Sequence, residues 1–248
     1  MGTPYFRFRQ FVVWHDRCAH RVGTDGVLLG AWASLEGHRR ILDIGTGSGL
    51  IALMAAQRNE QACVVALEID EAAAGQAREN VAHSPFARRI KVVQADVRDF
   101  VPTASEAFGN AGAPVAENAF DCILCNPPFF TEDTLPDNSS RALARNAAML
   151  SFDELLQAVR RLLSADGEFH VILPVAEAKP FVDKALLLGF CVTRQCLVRT
   201  VVSKPPRRSL LSFSRSGGIN YAASELVLQN PDGSRSADYS ALMKNFYL

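Results

Sequence analysis

The segment Ile41–Leu50 constrains the fold of this chain more than any other. Its sequence, ILDIGTGSGL, passes from an apolar strand into three glycines at alternate positions and then into an apolar helix. Gly45 and Gly47 permit backbone angles and a close approach that a Cβ atom would prevent. A ligand can therefore lie against this turn, close to the exposed N–H groups at the start of the helix.

Strand and helix patterns alternate after residue 38, which predicts an α/β fold with a mostly parallel sheet and helices on both faces. Strands are predicted at 40–44, 62–69, 90–95, 120–125, 168–173, 190–198, 210–214 and 225–229, and helices at 27–33, 50–58, 71–83, 152–163, 180–188 and 237–246. The last strands lack long crossovers, so antiparallel pairing is expected at one edge. We predict a single domain over residues 1–248 with a short N-terminal extension, about residues 1–37.

The composition, 48% hydrophobic and 21% charged, is typical of a globular protein. No stretch approaches the roughly 20 apolar residues that a membrane span needs. The segment Met1–Gln10 lacks the apolar region of a signal peptide. A cytoplasmic location without membrane contact is therefore expected.

The six cysteines are scattered, and several lie inside apolar runs, where a free cysteine behaves as a small core residue. Cys122 and Cys125 stand three apart within a predicted strand, so their side chains should point to opposite faces. We interpret them as core residues, and no metal site is predicted.

The ligand of the glycine turn is indicated by two departures from the dinucleotide pattern. The last glycine of G-x-G-x-x-G would fall on Leu50, and Asp43 stands just before the turn. A carboxylate would repel a pyrophosphate but attract the ammonium of a bound amino acid. This favours S-adenosylmethionine, which carries an ammonium and a sulfonium but no phosphate.

Residues at the ends of two further strands suit an adenosine. Glu68 follows Gly45 at close to the spacing of about 20 residues of an acid that accepts hydrogen bonds from ribose hydroxyls. Asp96 could accept from the adenine amino group while the Val97 N–H donates to the ring, and Ile69 could cover one ring face. The predicted cofactor-binding residues are Asp43, Gly45, Gly47, Gly49, Glu68, Ile69, Asp96, Val97 and Asn126.

The segment Phe120–Phe130 delivers Asn-Pro-Pro-aromatic from a buried strand. Two prolines stiffen the turn, so that the Asn126 side-chain oxygen and the Pro127 carbonyl can both accept from one planar NH₂ group. Phe129 offers a flat face on which a ring can stack. These three residues are predicted to be catalytic.

Such acceptors suit attack by an exocyclic amino nitrogen, whose lone pair is delocalised into the ring. They favour pyramidal nitrogen and stabilise the positive charge that develops on it, while in-line positioning lowers the barrier further. No general base is assigned, because the proton becomes acidic once nitrogen is alkylated.

The formal net charge is zero, yet the charges are unevenly distributed. No acid occurs from residue 184 to residue 224, where the cations are Lys184, Arg194, Arg199, Lys204, Arg207, Arg208 and Arg215. This asymmetry predicts a basic face that could bind a nucleic acid.

Leu42–Leu50 resembles motif I of class I methyltransferases, and Asn126–Phe129, the NPPF motif, resembles the N/D-P-P-Y/F motif of amino-methyltransferases. The run Phe11–Trp32 is similar to the opening of the bacterial tRNA1(Val) adenine-N6 methyltransferase family. The resemblance extends more weakly through 141–145 and 208–214 to 237–248.

The resemblance implies a Rossmann-like, seven-stranded sheet with a reversed, antiparallel hairpin at its edge. It implies methyl transfer from S-adenosylmethionine to N6 of adenosine in tRNA, at position 37 of tRNA1(Val), with S-adenosylhomocysteine as product. Thr24 and Asp25 would lie near the methionine end of the cofactor. The RNA contacts in the anticodon stem-loop are assigned to Arg141, Arg145, Arg207 and Arg208, and no obligate protein partner is indicated. Family members carry tyrosine where this chain has Phe129.

Other substrates use similar loops: the glutamine amide of a release factor and guanine N2 of ribosomal RNA. A DNA adenine methyltransferase would need a separate target-recognition domain. A nucleotide-responsive binding module would not need the intact Asn126-Pro-Pro, and a nicotinamide oxidoreductase is disfavoured by Leu50.

Overall fold

A computed structural model of the chain describes residues 3–103, 118–128, 150–217 and 221–248. The strands are β1 Tyr5–Arg7, β2 Val12–Trp14, β3 Arg40–Ile44, β4 Cys63–Glu68, β5 Ile90–Gln94, β6 Phe120–Cys125, β7 Leu163–Pro174, β8 Cys191–Val201, β9 Arg208–Ser214 and β10 Ala222–Gln229. The helices are α1 Thr24–Trp32, α2 Leu50–Arg58, α3 Glu71–Ala82, α4 Phe152–Leu162, α5 Val175–Leu187 and α6 Ala237–Met243.

The described strands form an eight-stranded sheet in the order β10-β8-β9-β7-β6-β3-β4-β5, and β1 pairs with β2 separately. All neighbours in the large sheet are parallel except β9, which is antiparallel to both β7 and β8. The predicted α/β class with a mostly parallel sheet is confirmed.

The sheet differs from the expected seven strands in one respect. β10 pairs in parallel with β8, so it adds an eighth strand and places the antiparallel hairpin inside the sheet. An uncovered β8 would present unpaired backbone N–H and C=O groups, which β10 satisfies.

Two apolar cores lie on opposite faces of the sheet. Alternate residues of β3 belong to different cores: Ile41 packs with α1 and α2, whereas Leu42 packs with α4 and α5. Cys122 belongs to the first core and Cys125 to the second, which confirms that these cysteines are core residues on opposite faces.

Helix ends follow local chemistry with one exception. Ser151 and Glu154 form a capping box at the start of α4, and Asp70 caps α3. The helix expected from Pro180 begins instead at Val175, directly after β7, because the intervening alanine, glutamate and lysine are good helix formers. Within the described ranges, no helix combines the length and apolar character required to cross a bilayer.

Candidate functional site

The predicted site residues lie along one edge of the sheet. Asn126 follows β6, Gly45 follows β3, Glu68 ends β4 and Asp96 lies two residues beyond β5. β3 pairs with β6 and β4, and β4 pairs with β5, so these strand ends are adjacent. Ligands of open parallel sheets bind at such carboxyl ends.

The three glycines of the turn have different surroundings. Gly45, Gly47 and Gly49 have φ values of +68°, +55° and +83°, which an L side chain rarely adopts. A Cβ on Gly45 or Gly47 would meet no atom within 4 Å, whereas a Cβ on Gly49 would lie 3.5 Å from Ala77 Cβ. The first two glycines therefore face open space, and the third lets α2 pack closely against α3.

Glu68 holds the turn from the neighbouring strand. The backbone N–H of Gly47 donates to its Oε2 at 2.8 Å, and that of Asp70 donates to its Oε1 at 3.0 Å. Each carboxylate oxygen can accept a second hydrogen bond. The carboxylate of Glu68 therefore retains acceptor capacity for a ribose hydroxyl beside the open face of the turn.

Asp43 lies fully buried beneath the turn. Its Oδ2 accepts from the Thr46 hydroxyl and from the Ala52 N–H, so it fixes the turn to the start of α2. Its Oδ1 has no hydrogen-bond partner among the described residues, and burial raises the pKa of Asp43 to about 7. This unpartnered oxygen fits the predicted cofactor, because a nearby ammonium would stabilise the carboxylate charge.

At the adenine end, the side chain of Ile69 is 54% exposed, which leaves an apolar surface for a ring, while Val97 is buried. Asp96 forms an ion pair with Arg98, whose Nε donates to Asp96 Oδ2 at 2.8 Å, and Arg98 also reaches Glu154 at 3.2 Å. The Arg98 guanidinium lowers the pKa of Asp96. Sequence reasoning missed this pair, and the role of Asp96 toward adenine stays a prediction.

Helix α1 begins beside the Asn126 loop. A Cβ placed on Gly26 would lie 3.8 Å from Asn126 Nδ2 and 3.1 Å from Leu50 Cδ2. Thr24 and Asp25, which precede Gly26, therefore lie close to this loop. Asn126 is half-buried and Pro127 is buried. Three predicted site residues lie outside the described residues: Phe129, Arg141 and Arg145.

Most of the cations between residues 184 and 224 are already engaged, so this segment makes a narrower basic face than its sequence suggests. Three form ion pairs: Lys184 with Asp153, Arg199 with Glu225, and Arg208 with Asp25. Arg194 stacks on Trp32, and Arg215 donates to backbone carbonyls. In the described part of the segment, Lys204 and Arg207 make no ion pair, and both are exposed in the turn that joins β8 and β9.

Sequence reasoning missed Asn80, a fully buried side chain on α3. It accepts from the Trp14 N–H at 3.0 Å and donates to the Trp14 carbonyl at 2.7 Å and to the Ser48 carbonyl at 2.8 Å. Asn80 thus joins the N-terminal hairpin to the glycine turn. An asparagine within a polar helix carries no local signal of such a role.

The segment that follows Trp14 runs from this junction to α1. Cys18 lies within it, half-buried, and burial together with the charges of Glu68 and Asp70 raises the pKa of its thiol to about 11. The N-terminal extension therefore passes close to the acid at the end of β4 and forms part of the surroundings of the site.

Solved structures share this fold. A predicted O-methyltransferase, protein Atu636 from Agrobacterium tumefaciens, superposes with a TM-score of 0.65 at 18% identity and covers 90% of this chain and 96% of its own. P. horikoshii TYW2, in complex with MeSAdo, gives a TM-score of 0.56 at 15% identity over 86% of this chain and 72% of its own. At these identities the likeness shows the Rossmann-like fold alone.

Sequence relatives are much closer. The methyltransferase small domain family matches residues 23–177. Proteins named tRNA1(Val) (adenine(37)-N6)-methyltransferase include one from Bacteroides fragilis, 44% identical over 100% of this chain and 99% of its own. Another, from Citrobacter koseri, is 41% identical over 98% of this chain and 94% of its own. The chain therefore belongs to the tRNA1(Val) (adenine(37)-N6)-methyltransferase family.

Proposed function

We propose that this protein transfers a methyl group from S-adenosylmethionine to the N6 amino group of adenosine 37 in tRNA1(Val) and releases S-adenosylhomocysteine. One observation carries the proposal. The Asn126-Pro127 turn at the end of β6 stands beside the open face of the glycine turn at the end of the adjacent strand β3. The family relationship over the full chain supports the same substrate.

Asn126 and Pro127 perform the central task in this proposal. Their two carbonyl oxygens accept hydrogen bonds from the amino group of the target base, which orients its lone pair and stabilises the charge that develops on nitrogen. When bound, the cofactor supplies an electrophilic methyl group on its sulfonium. Phe129 would stack against the adenine ring. No residue is assigned as a general base.

The cofactor would be held by groups on three adjacent strand ends. Gly45 and Gly47 leave room for it against the backbone, Glu68 accepts from its ribose, and Ile69 covers one face of its adenine. Asp43 supplies negative charge beneath the turn, where its unpartnered Oδ1 matches the ammonium. The remaining assignments are Gly49, Asp96, Val97, Thr24 and Asp25.

The RNA partner would be the anticodon stem-loop. Arg207 and Lys204 are exposed at the sheet edge that carries the site, and cations there can neutralise phosphates. Arg141 and Arg145 join them by sequence. An adenosine in a single-stranded loop needs only to be unstacked, at a cost of roughly a few kcal/mol. We further infer a single domain over the whole chain that acts in the cytoplasm without an obligate protein partner.

Site-resolved methylation tests the proposal. The purified protein is incubated with radiolabelled S-adenosylmethionine and unmodified tRNA1(Val), ribosomal RNA or a release factor, and the products are digested. Label should appear as N6-methyladenosine in the tRNA and disappear when adenosine 37 is replaced by guanosine. Label in protein or in N2-methylguanosine would contradict the proposal.

A further inference from the structure

We propose that Arg208 is a positioning residue: its ion pair with Asp25 holds the first turn of α1 in place beside Asn126. The inference deepens the proposed function and rests on it for the identity of the site. It gives Arg208 a different role from the RNA contact expected from sequence.

The pair is directional and partly shielded from water. Arg208 Nε donates to Asp25 Oδ2 at 2.7 Å, and the two side chains are 34% and 25% exposed. Arg208 Nη1 also donates to the Arg207 carbonyl at 3.1 Å, which orients the guanidinium. A charge-assisted bond in such surroundings fixes geometry better than a fully exposed ion pair does.

The sheet end of the pair is rigid. Arg208 begins β9 and lies in register with Val198 on one side and Pro174 on the other. The neighbouring Arg207 adds two backbone bonds, from its N–H to the Val198 carbonyl and from the Val175 N–H to its own carbonyl. The guanidinium therefore projects from a point at which three strands meet.

The helix end of the pair has little other support. Gly23 supplies no side-chain cap to α1, and the first helical backbone bond, from the Val27 N–H to the Gly23 carbonyl, is 3.4 Å long. Among described residues, Arg208 supplies the hydrogen bond that reaches a side chain of the Thr24–Gly26 turn. Asp25 also complements the helix dipole, but that interaction does not fix a position.

This turn lies directly beside the catalytic loop. Gly26 is next to Asp25 in the chain, and a Cβ on it would lie 3.8 Å from Asn126 Nδ2. A shift of the α1 start would therefore change the space around Asn126. A misplacement of about 1 Å at a reacting centre can cost on the order of 100-fold in rate.

A double-mutant cycle tests the inference, using D25N, R208Q and the double variant in the full-length chain. Two quantities are measured for each: the Kd for S-adenosylhomocysteine by calorimetry, and the single-turnover rate with saturating tRNA1(Val). Each single variant should lower the rate roughly ten-fold and weaken S-adenosylhomocysteine binding several-fold, and the double variant should be no worse than either. R208K, which keeps the charge, should recover part of both losses.

A direct phosphate contact predicts a different pattern. R208Q would then lower RNA affinity and reduce the slope of its salt dependence by about one, whereas D25N would free Arg208 and leave the rate intact. That pattern, or additive losses in the double variant, would overturn the inference.

The Arg199–Glu225 pair is a matched control on the same hairpin. Its bonds measure 3.0 and 2.8 Å, and Arg199 also supports the turn by donating to the Lys204 carbonyl, but it does not reach α1. R199Q and E225Q should stay within about two-fold of the wild type in rate and Kd. An equal loss in R199Q would assign the effect to hairpin stability and overturn the inference.

The two proposals fail in different ways. A wild-type protein that methylates none of the RNAs would refute the proposed substrate, while the S-adenosylhomocysteine cycle would still test the pair. Normal methylation of adenosine 37 by R208Q and D25N, with unchanged Kd values, would refute the positioning role alone.

Discussion

Asn80 donates a hydrogen bond from its side-chain amide to the backbone carbonyl of Ser48, at 2.8 Å, inside the glycine turn. The same amide group holds both backbone polar groups of Trp14. One buried side chain therefore couples the N-terminal hairpin to the turn proposed to bind the cofactor, so cofactor affinity should depend on a part of the chain outside the Rossmann-like sheet.

N80A should lower both stability and cofactor affinity. It leaves the Ser48 carbonyl and the Trp14 backbone groups without partners, and each buried unsatisfied group costs about 1–3 kcal/mol. Urea unfolding and calorimetry with S-adenosylhomocysteine measure the two effects. The control is Q76A on the same helix, because buried Gln76 holds the Arg17 backbone but does not contact the turn. Wild-type S-adenosylhomocysteine affinity in a folded N80A would contradict the coupling.

N126A should bind S-adenosylhomocysteine within a few-fold of the wild type and lose turnover by about 100-fold or more, as expected when an acceptor aimed at developing charge is removed. Calorimetry and single-turnover assays separate the two quantities. A loss of binding that parallels the loss of turnover would show that Asn126 serves the cofactor instead of the amino group.

Asp43 should make the stability of the ligand-free protein depend on pH. Its pKa is raised by burial from 3.8 to about 7, so the folded state binds a proton that the unfolded state has already released. The stabilisation is fully present below pH 4 and is lost as pH rises through about 7, a change on the order of 4 kcal/mol. Urea unfolding between pH 5 and 8 should show this slope in the wild type and a flatter one in D43N. Parallel slopes would contradict the assignment.

G47A should weaken S-adenosylhomocysteine binding. The residue has φ +55°, and its new Cβ would enter the open space beside the turn. G37A is a matched control, because Gly37 has φ +82°, also faces open space and precedes β3 at the opposite edge of the sheet. Both variants should lose roughly 1–2 kcal/mol of stability through backbone strain, but calorimetry should detect weaker binding in G47A alone. Equal affinities in the two variants would contradict the placement of the ligand.

Strands β3 to β9 were predictable from sequence because each is long enough to show a clear apolar pattern. β1 and β2 were missed, since three residues are too few for alternation to be detected. The start of α5 was misplaced because Pro180 resembles a first-turn proline. The position of β10 beside β8 depends on which sheet edge is free, and no local pattern records that.

The sequence by itself determined the arrangement of the candidate site. Gly45, Glu68, Asp96 and Asn126 each follow a buried strand, and parallel pairing brings the ends of such strands to one edge whatever the remaining contacts are. Tertiary structure alone decided which charges are free. Arg208 and Asp25 are 183 residues apart in the chain, yet their side chains are bonded. Strand periodicity is a local property, whereas charge compensation depends on which distant segments the fold brings together.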